Sequence, residues 1–158
     1  MSVAFRRESD DEHKEPHYEL PIPLGPNWVT PRGLRLLVEK RQELEAILAA
    51  TSEDDARKKL ERQIRYYGTR KATADLRPTP EDGVVGLGSR VVFQMDGKER
   101  TLTIVGHDEA EPKEGLIAFS APLGRALMNA EVEDFVSFQG REDHIEIISA
   151  IADPKVQA

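Results

Sequence analysis

The sequence predicts an α+β fold: an N-terminal antiparallel helical hairpin, in effect a short coiled coil, followed by an antiparallel sheet carrying one short helix. Two observations carry this reading. Apolar residues recur every three or four positions through residues 34–48 and again through 56–67, which puts one stripe on one face of each of two helices. From Val91 onward the period falls to two, with turn-forming pairs between the runs, the pattern of half-buried strands. The chain divides into an acidic, proline-rich arm (1–28), the hairpin (29–77), a linker (78–83), the sheet domain (84–152) and a tail (153–158).

The arm comes first. Only 39% of the 158 residues are apolar and 6% aromatic, thin for a single core of this length, so part of the chain is expected to be extended or disordered. The arm holds six acids (Glu8, Asp10, Asp11, Glu12, Glu15, Glu19) against three bases (Arg6, Arg7, Lys14), with four prolines from Pro16 to Pro26. Such a segment cannot offset its ordering entropy and favours extended, polyproline-like chain. Its larger apolar groups, among them Phe5, Tyr18, Leu20, Ile22 and Trp28, suggest that it is tacked to the body near Trp28. His13 and His17 have a helical metal-ligand spacing, but Pro16 between them argues for a solvated pair.

The hairpin opens with Thr30 as N-cap and Pro31 at the first helical position, where its missing N–H is no loss. The first stripe is Leu34, Leu37, Leu44, Ile47 and Leu48. The pattern breaks around Thr51 to Asp55, where Ser52 is expected to cap a second helix and Glu53, Asp54 and Asp55 occupy its first turn, favoured by the helix dipole. The second stripe is Ala56, Leu60, Ile64, Tyr67 and the stem of Lys71; Pro78 and Pro80 forbid continuation past Leu76. Two helices of about twenty residues make a hairpin roughly 30 Å long. Gly68 is a weak point in the second.

In the sheet domain Val91, Phe93 and Met95 alternate with Val92 and Gln94, Asp96-Gly97 supplies a tight turn, and Leu102 and Ile104 alternate with threonines. After a polar loop from His107 to Glu114, Leu116 to Phe119 reads as a short buried strand, and Pro122 opens a helix with Leu123, Ala126, Leu127 and Met128. Phe135 to Phe138 and Ile145 to Ile147 form a last pair of strands around Gln139-Gly140-Arg141.

Charge and composition exclude several functions. With no cysteine, there is no disulfide scaffold, thiol nucleophile or thiolate metal site. No apolar run nears the ~18 residues of a membrane span, and the N-terminus begins with charges, so a cytoplasmic protein with no membrane association is expected. The net charge of -7 argues against sequence-independent nucleic-acid binding. Yet residues 29–82 carry twelve bases against ten acids, while 83–152 carry twelve acids against six bases. Arg57, Lys58, Lys59, Arg62 and Arg65 form a candidate basic patch on the second helix for DNA or RNA contact. Because they span more than one face, a solvated coil surface is the expected reading.

Several motifs together resemble the GreA/GreB transcription elongation factors. Val105-Gly106-His107-Asp108-Glu109-Ala110-Glu111 through Ile117, followed by Phe119-Ser120-Ala121-Pro122-Leu123-Gly124-Arg125-Ala126-Leu127, is similar to that family's C-terminal signature. Asn27-Trp28-Val29-Thr30-Pro31-Arg32-Gly33 is similar to its helix start, and Met1 to Glu8 to the opening of its GreB-like members. The resemblance implies that the sheet domain is FKBP-like and docks at the rim of the RNA polymerase secondary channel, while the coiled coil enters the channel. It also implies that two acids at the coil tip help hold a magnesium ion at the polymerase active site, where hard oxygen ligands suit a two-metal phosphoryl-transfer centre.

The sequence departs from the family at that tip. The family's D-L-x-E-N-x-E-Y tip motif has no counterpart between Leu48 and Leu60, and the arms are shorter by roughly ten residues each, or ~15 Å of helix. The expectation is therefore a polymerase-binding regulator with a shortened coil, like Rnk in that respect, without efficient stimulation of transcript cleavage. Its candidate docking residues are Asp108, Glu109, Ser120, Pro122 and Arg125, and its candidate tip residues Glu53, Asp54 and Asp55. It is expected to be a monomer and not an enzyme, with no cofactor or metal of its own, the magnesium belonging to the polymerase. One alternative is a full cleavage factor using the three tip acids. Another is a prolyl isomerase, which needs a ring of aromatics; Phe93, Phe119, Phe135 and Phe138 follow only core alternation. Neither His107 nor His144 stands in a recognisable serine–acid constellation, so hydrolase chemistry has no support.

Overall fold

A computed structural model describes residues 18–158. Most of the expected arm, including His13 and His17, lies outside the described residues.

Helix α1 (Pro31–Ala49) begins as its sequence dictates: the Thr30 hydroxyl accepts from the Gly33 amide at 3.0 Å, with Pro31 in the first turn. Helix α2 (Asp54–Ala72) is capped by Glu53, not by the expected Ser52. The longer side chain reaches two orphan donors at once, one oxygen taking the Asp55 amide (3.2 Å) and the other the Ala56 amide (2.7 Å). Across the tip, Arg57 Nη1 donates to the Leu48 and Thr51 carbonyls (2.9 and 2.7 Å), stapling the end of α1 and the turn after it to α2. The seam between the helices is narrow. Leu37 and Leu44 are buried, Leu34, Leu48, Ala56, Leu60, Ile64 and Tyr67 half-buried, and Ile47 exposed near the tip. Lys71 is exposed too; the buried residue at that end is Arg70.

The base of the hairpin is tied by a two-residue parallel ladder, β1 (Trp28–Val29) against β2 (Asp75–Leu76). The Asn27 amide donates to the Arg70 carbonyl (2.8 Å) and to Thr73 Oγ1 (3.1 Å). Ahead of β1, Glu19 makes a two-pronged pair with Arg65 of α2 (2.7 and 2.8 Å).

The sheet domain contains β3 (Ser89–Met95), β4 (Lys98–Val105), β5 (Leu116–Ala118), β6 (Phe135–Phe138) and β7 (Arg141–Ala152), in the spatial order β5-β4-β3-β7-β6. Asp96-Gly97 and Gln139-Gly140 turn with both residues at positive φ (55° and 73°; 52° and 77°), the backbone that tight hairpins demand. The sheet is mixed, which corrects the expected all-antiparallel arrangement: β5 runs parallel to β4. After β4 the chain turns back through two 3-10 turns, His107–Glu109 and Pro112–Glu114, and so re-enters the sheet in the direction it had before.

Helix α3 (Pro122–Leu127) packs on this sheet, and its Leu127 is fully buried with Val91, Phe93, Ile104, Ile145 and Ile147. A smaller cluster joins Val105, Leu116 and Val156, so the last residues are packed down: Asp153 accepts from Thr103 Oγ1 (2.7 Å), and Arg35 reaches the Ala158 carbonyl (3.1 Å).

Candidate functional site

The turn that follows β4 meets the roots of both helices. Gly106 is required there, because a β-carbon would lie 2.3 Å from the Trp28 carbonyl oxygen. The next 3-10 turn then presents two successive carboxylates. Asp108 accepts from the Tyr66 hydroxyl (2.6 Å) and from Arg70 Nε (2.7 Å), both on α2. Glu109 accepts from Thr30 Oγ1 (2.6 Å) and from Arg32 Nη1 (3.0 Å), at the start of α1. Gly33 keeps that approach open, since its β-carbon would stand 2.9 Å from Glu109 Oε1. The Asp108 side chain is 12% exposed and that of Glu109 1%. Each charge is thus paired and hydrogen-bonded, the condition under which a carboxylate tolerates burial. Burial, then its bond to Asp108, holds the Tyr66 phenol well above the ordinary range. Tyr67, edge-on to Tyr66 at 5.0 Å, is raised by burial and by the Asp108 charge.

Asp108 and Glu109, candidate docking residues from the sequence, are engaged within the chain in this placement. They face the chain's own helices, because the polar loop that looked solvated is the surface on which the hairpin sits. Of the predicted docking set, Ser120, Pro122 and Arg125 are exposed. Ser120 and Arg125 border a groove of about 910 Å³, together with Trp28, Arg77, Pro80, Leu87, Phe119 and Met128. Trp28 stacks on Phe119 with ring centres 4.6 Å apart, and the Arg77 guanidinium lies 5.3 Å from the indole centre. Leu24, also on the groove, is 97% exposed. Sequence reasoning missed Arg77 and the part of Trp28 in this groove, along with Tyr66 and Arg70 at the junction. The Trp28 helix-start motif was the one available signal.

The remaining candidates are dispersed. At the tip, Asp54 and Asp55 are exposed, but both Glu53 oxygens are engaged in capping. Among the described residues no group of three or more His, Asp or Glu side chains is arranged to hold a metal ion. In the basic patch Arg57 serves the tip carbonyls and Arg65 holds Glu19, while Lys58 and Lys59 are exposed and Arg62 is half-buried. The Arg65 pair pulls the Glu19 carboxyl below its ordinary value and raises the guanidinium. Phe93 lies in the core, Phe138 packs against it, Phe135 is 57% exposed, and of the four only Phe119 borders the groove, so no aromatic ring of the prolyl-isomerase kind assembles. No helix among the described residues is long and apolar enough to cross a membrane.

Fold and site together define a class: an α+β body that roots a helical hairpin through buried charge and keeps an open aromatic groove. Residues 79–151 match the family model described as "Transcription elongation factor, GreA/GreB, C-term". The transcription elongation factor GreA of Bacillus cereus (strain AH187) is 41% identical over 73 residues, 44% of this chain and 46% of that protein. GreA of Desulfovibrio desulfuricans is 32% identical over 121 residues, 66% of this chain and 75% of that protein. A solved GreA/GreB from Nitrosomonas europaea aligns over 81% of this chain and 99% of its own at 20% identity, with a TM-score of 0.40. The chain belongs to the GreA/GreB transcription elongation factor family. The match spans about half the length of the Bacillus relative.

Proposed function

We propose that the chain is an RNA polymerase-binding transcription regulator of the Gre type. It docks by its groove at the rim of the secondary channel, acts in the cytoplasm as a monomer, and stimulates transcript cleavage poorly. The observation that carries the reading is the tip. Each 19-residue helix is about 28 Å long, and of the three tip acids one is consumed as the α2 cap. A cleavage-stimulating tip has to bring free carboxylates to the polymerase's magnesium, because Mg²⁺ takes hard oxygen ligands and activates water only when held in place. A short hairpin ending in a stapled turn is suited to occupying a channel. The groove supports docking: it pairs an aromatic stack with Arg77 and Arg125, the combination enriched where proteins bind proteins.

The test is a pull-down with core RNA polymerase followed by transcript cleavage on backtracked complexes. Retention of the native chain, loss with Arg125→Glu, and little cleavage are expected. No retention by polymerase overturns the reading. Robust cleavage that Asp54→Asn and Asp55→Asn abolish overturns its second half and installs the tip acids as functional.

A further inference from the structure

Asp108 and Glu109 are neighbours in sequence, yet each binds a different helix. Glu109 holds Thr30 and Arg32 in the first turn of α1, while Asp108 holds Tyr66 and Arg70 in the last two turns of α2. We propose that this turn is a two-point lock that fixes the direction of the hairpin relative to the body, with Asp108 and Glu109 as positioning residues for the coil tip.

The geometry favours a lock over a general contribution to stability. A single contact leaves a helix pair free to swing about it, whereas two contacts on opposite arms define an orientation. The β1–β2 ladder does not supply this by itself: neither strand joins the body's sheet, and the stack of Trp28 on Phe119 ties it to the body from the β1 side. Nor do the two carboxylates belong to the body's apolar core, which is built from β3, β4, β7 and α3. A buried ion pair adds little net stability over an apolar contact, but an unmatched buried charge is strongly disfavoured, so the pairs reward one arrangement and penalise others. Arg70 ties the lock to the ladder, since its carbonyl accepts from Asn27 while its guanidinium holds Asp108. The device is a property of the free chain and does not depend on what the groove binds.

The absence of native cysteine allows clean paired spin labels at Asp54→Cys on the tip and Gln94→Cys on β3. In the native background, pulsed dipolar spectroscopy should give one narrow tip-to-body distance. In the Asp108→Asn, Glu109→Gln double variant that peak should be lost to a broad distribution while the far-ultraviolet dichroism of the body is retained. A broad native distribution, or a double variant as narrow as the native chain, overturns the proposal. Should the double variant not fold, Glu109→Gln alone carries the test, as it weakens the point on α1 and leaves the Asp108–Arg70 pair on α2 in place. Broadening there supports the lock, and an unchanged width overturns it.

Discussion

At the scale of a single residue, Tyr66 shows how the junction records itself in a titration. Its phenol is held above the ordinary value of 10.0 by burial first and then by donating to Asp108, so the folded state keeps that proton more tightly than the unfolded chain. The stabilisation is therefore complete below pH about 10 and is lost as pH rises from there through the folded value. Native protein should lose stability steeply in the alkaline range. Tyr66→Phe should start lower at neutral pH by on the order of 1 kcal/mol, the usual loss of one hydrogen bond, and then decline with a shallower slope. Tyr67 is raised in the same direction, so the slope should diminish without vanishing. Urea midpoints across the alkaline range measure it, and equal slopes in the two proteins would show that the Tyr66 proton is not held by the fold.

At the scale of the element, the hairpin tip separates two adjacent residues that composition alone treats alike. Ser52 and Glu53 can both cap a helix, and the structure uses Glu53. Glu53→Ala should lower the melting temperature and the helicity, at about 1 kcal/mol for a lost cap, while Ser52→Ala should leave both unchanged. Equal effects from the two would return the cap to Ser52. The same contrast shows what could be read from the sequence. Thr30-Pro31, Asp96-Gly97 and Gln139-Gly140 each act on their immediate neighbours, and each stands where the pattern put it. The direction of β5 was not legible, because Pro112 and Gly115 mark a turn between β4 and β5 without saying in which direction the chain re-enters the sheet. The junction was hidden for a related reason: Glu109 finds Thr30 across 79 positions and Asp108 finds Tyr66 across 42, distances at which no spacing rule operates. Asp108 and Glu109 thus read as a polar loop, and their motif drew attention to the turn but not to its partners within the chain.

At the scale of the whole molecule, the two halves differ in what holds them. The body has a continuous core in which Val85, Val91, Phe93, Ile104, Leu127 and Ile145 are inaccessible to solvent. Along its seam the hairpin fully buries Leu37 and Leu44, and helices in proteins owe most of their stability to packing of an apolar face rather than to propensity. Its persistence therefore depends on being rooted in the body, and the native chain should unfold in a single transition. Gly106→Ala attacks the root without touching either core. The added carbon would meet the Trp28 carbonyl at 2.3 Å, a backbone atom that cannot swing aside as a side chain would, so hairpin and body must separate locally. Overpacking of this kind costs about 1–3 kcal/mol, a large fraction of the margin of a small protein. The loss should fall unevenly. Hydrogen exchange in α1 and α2 should accelerate far more than in β3 and β7, because the helices lose their anchor while the sheet keeps its apolar contacts. If helix and sheet amides accelerate together, hairpin and body open as one cooperative unit, and the root is not a separate anchor of the helices.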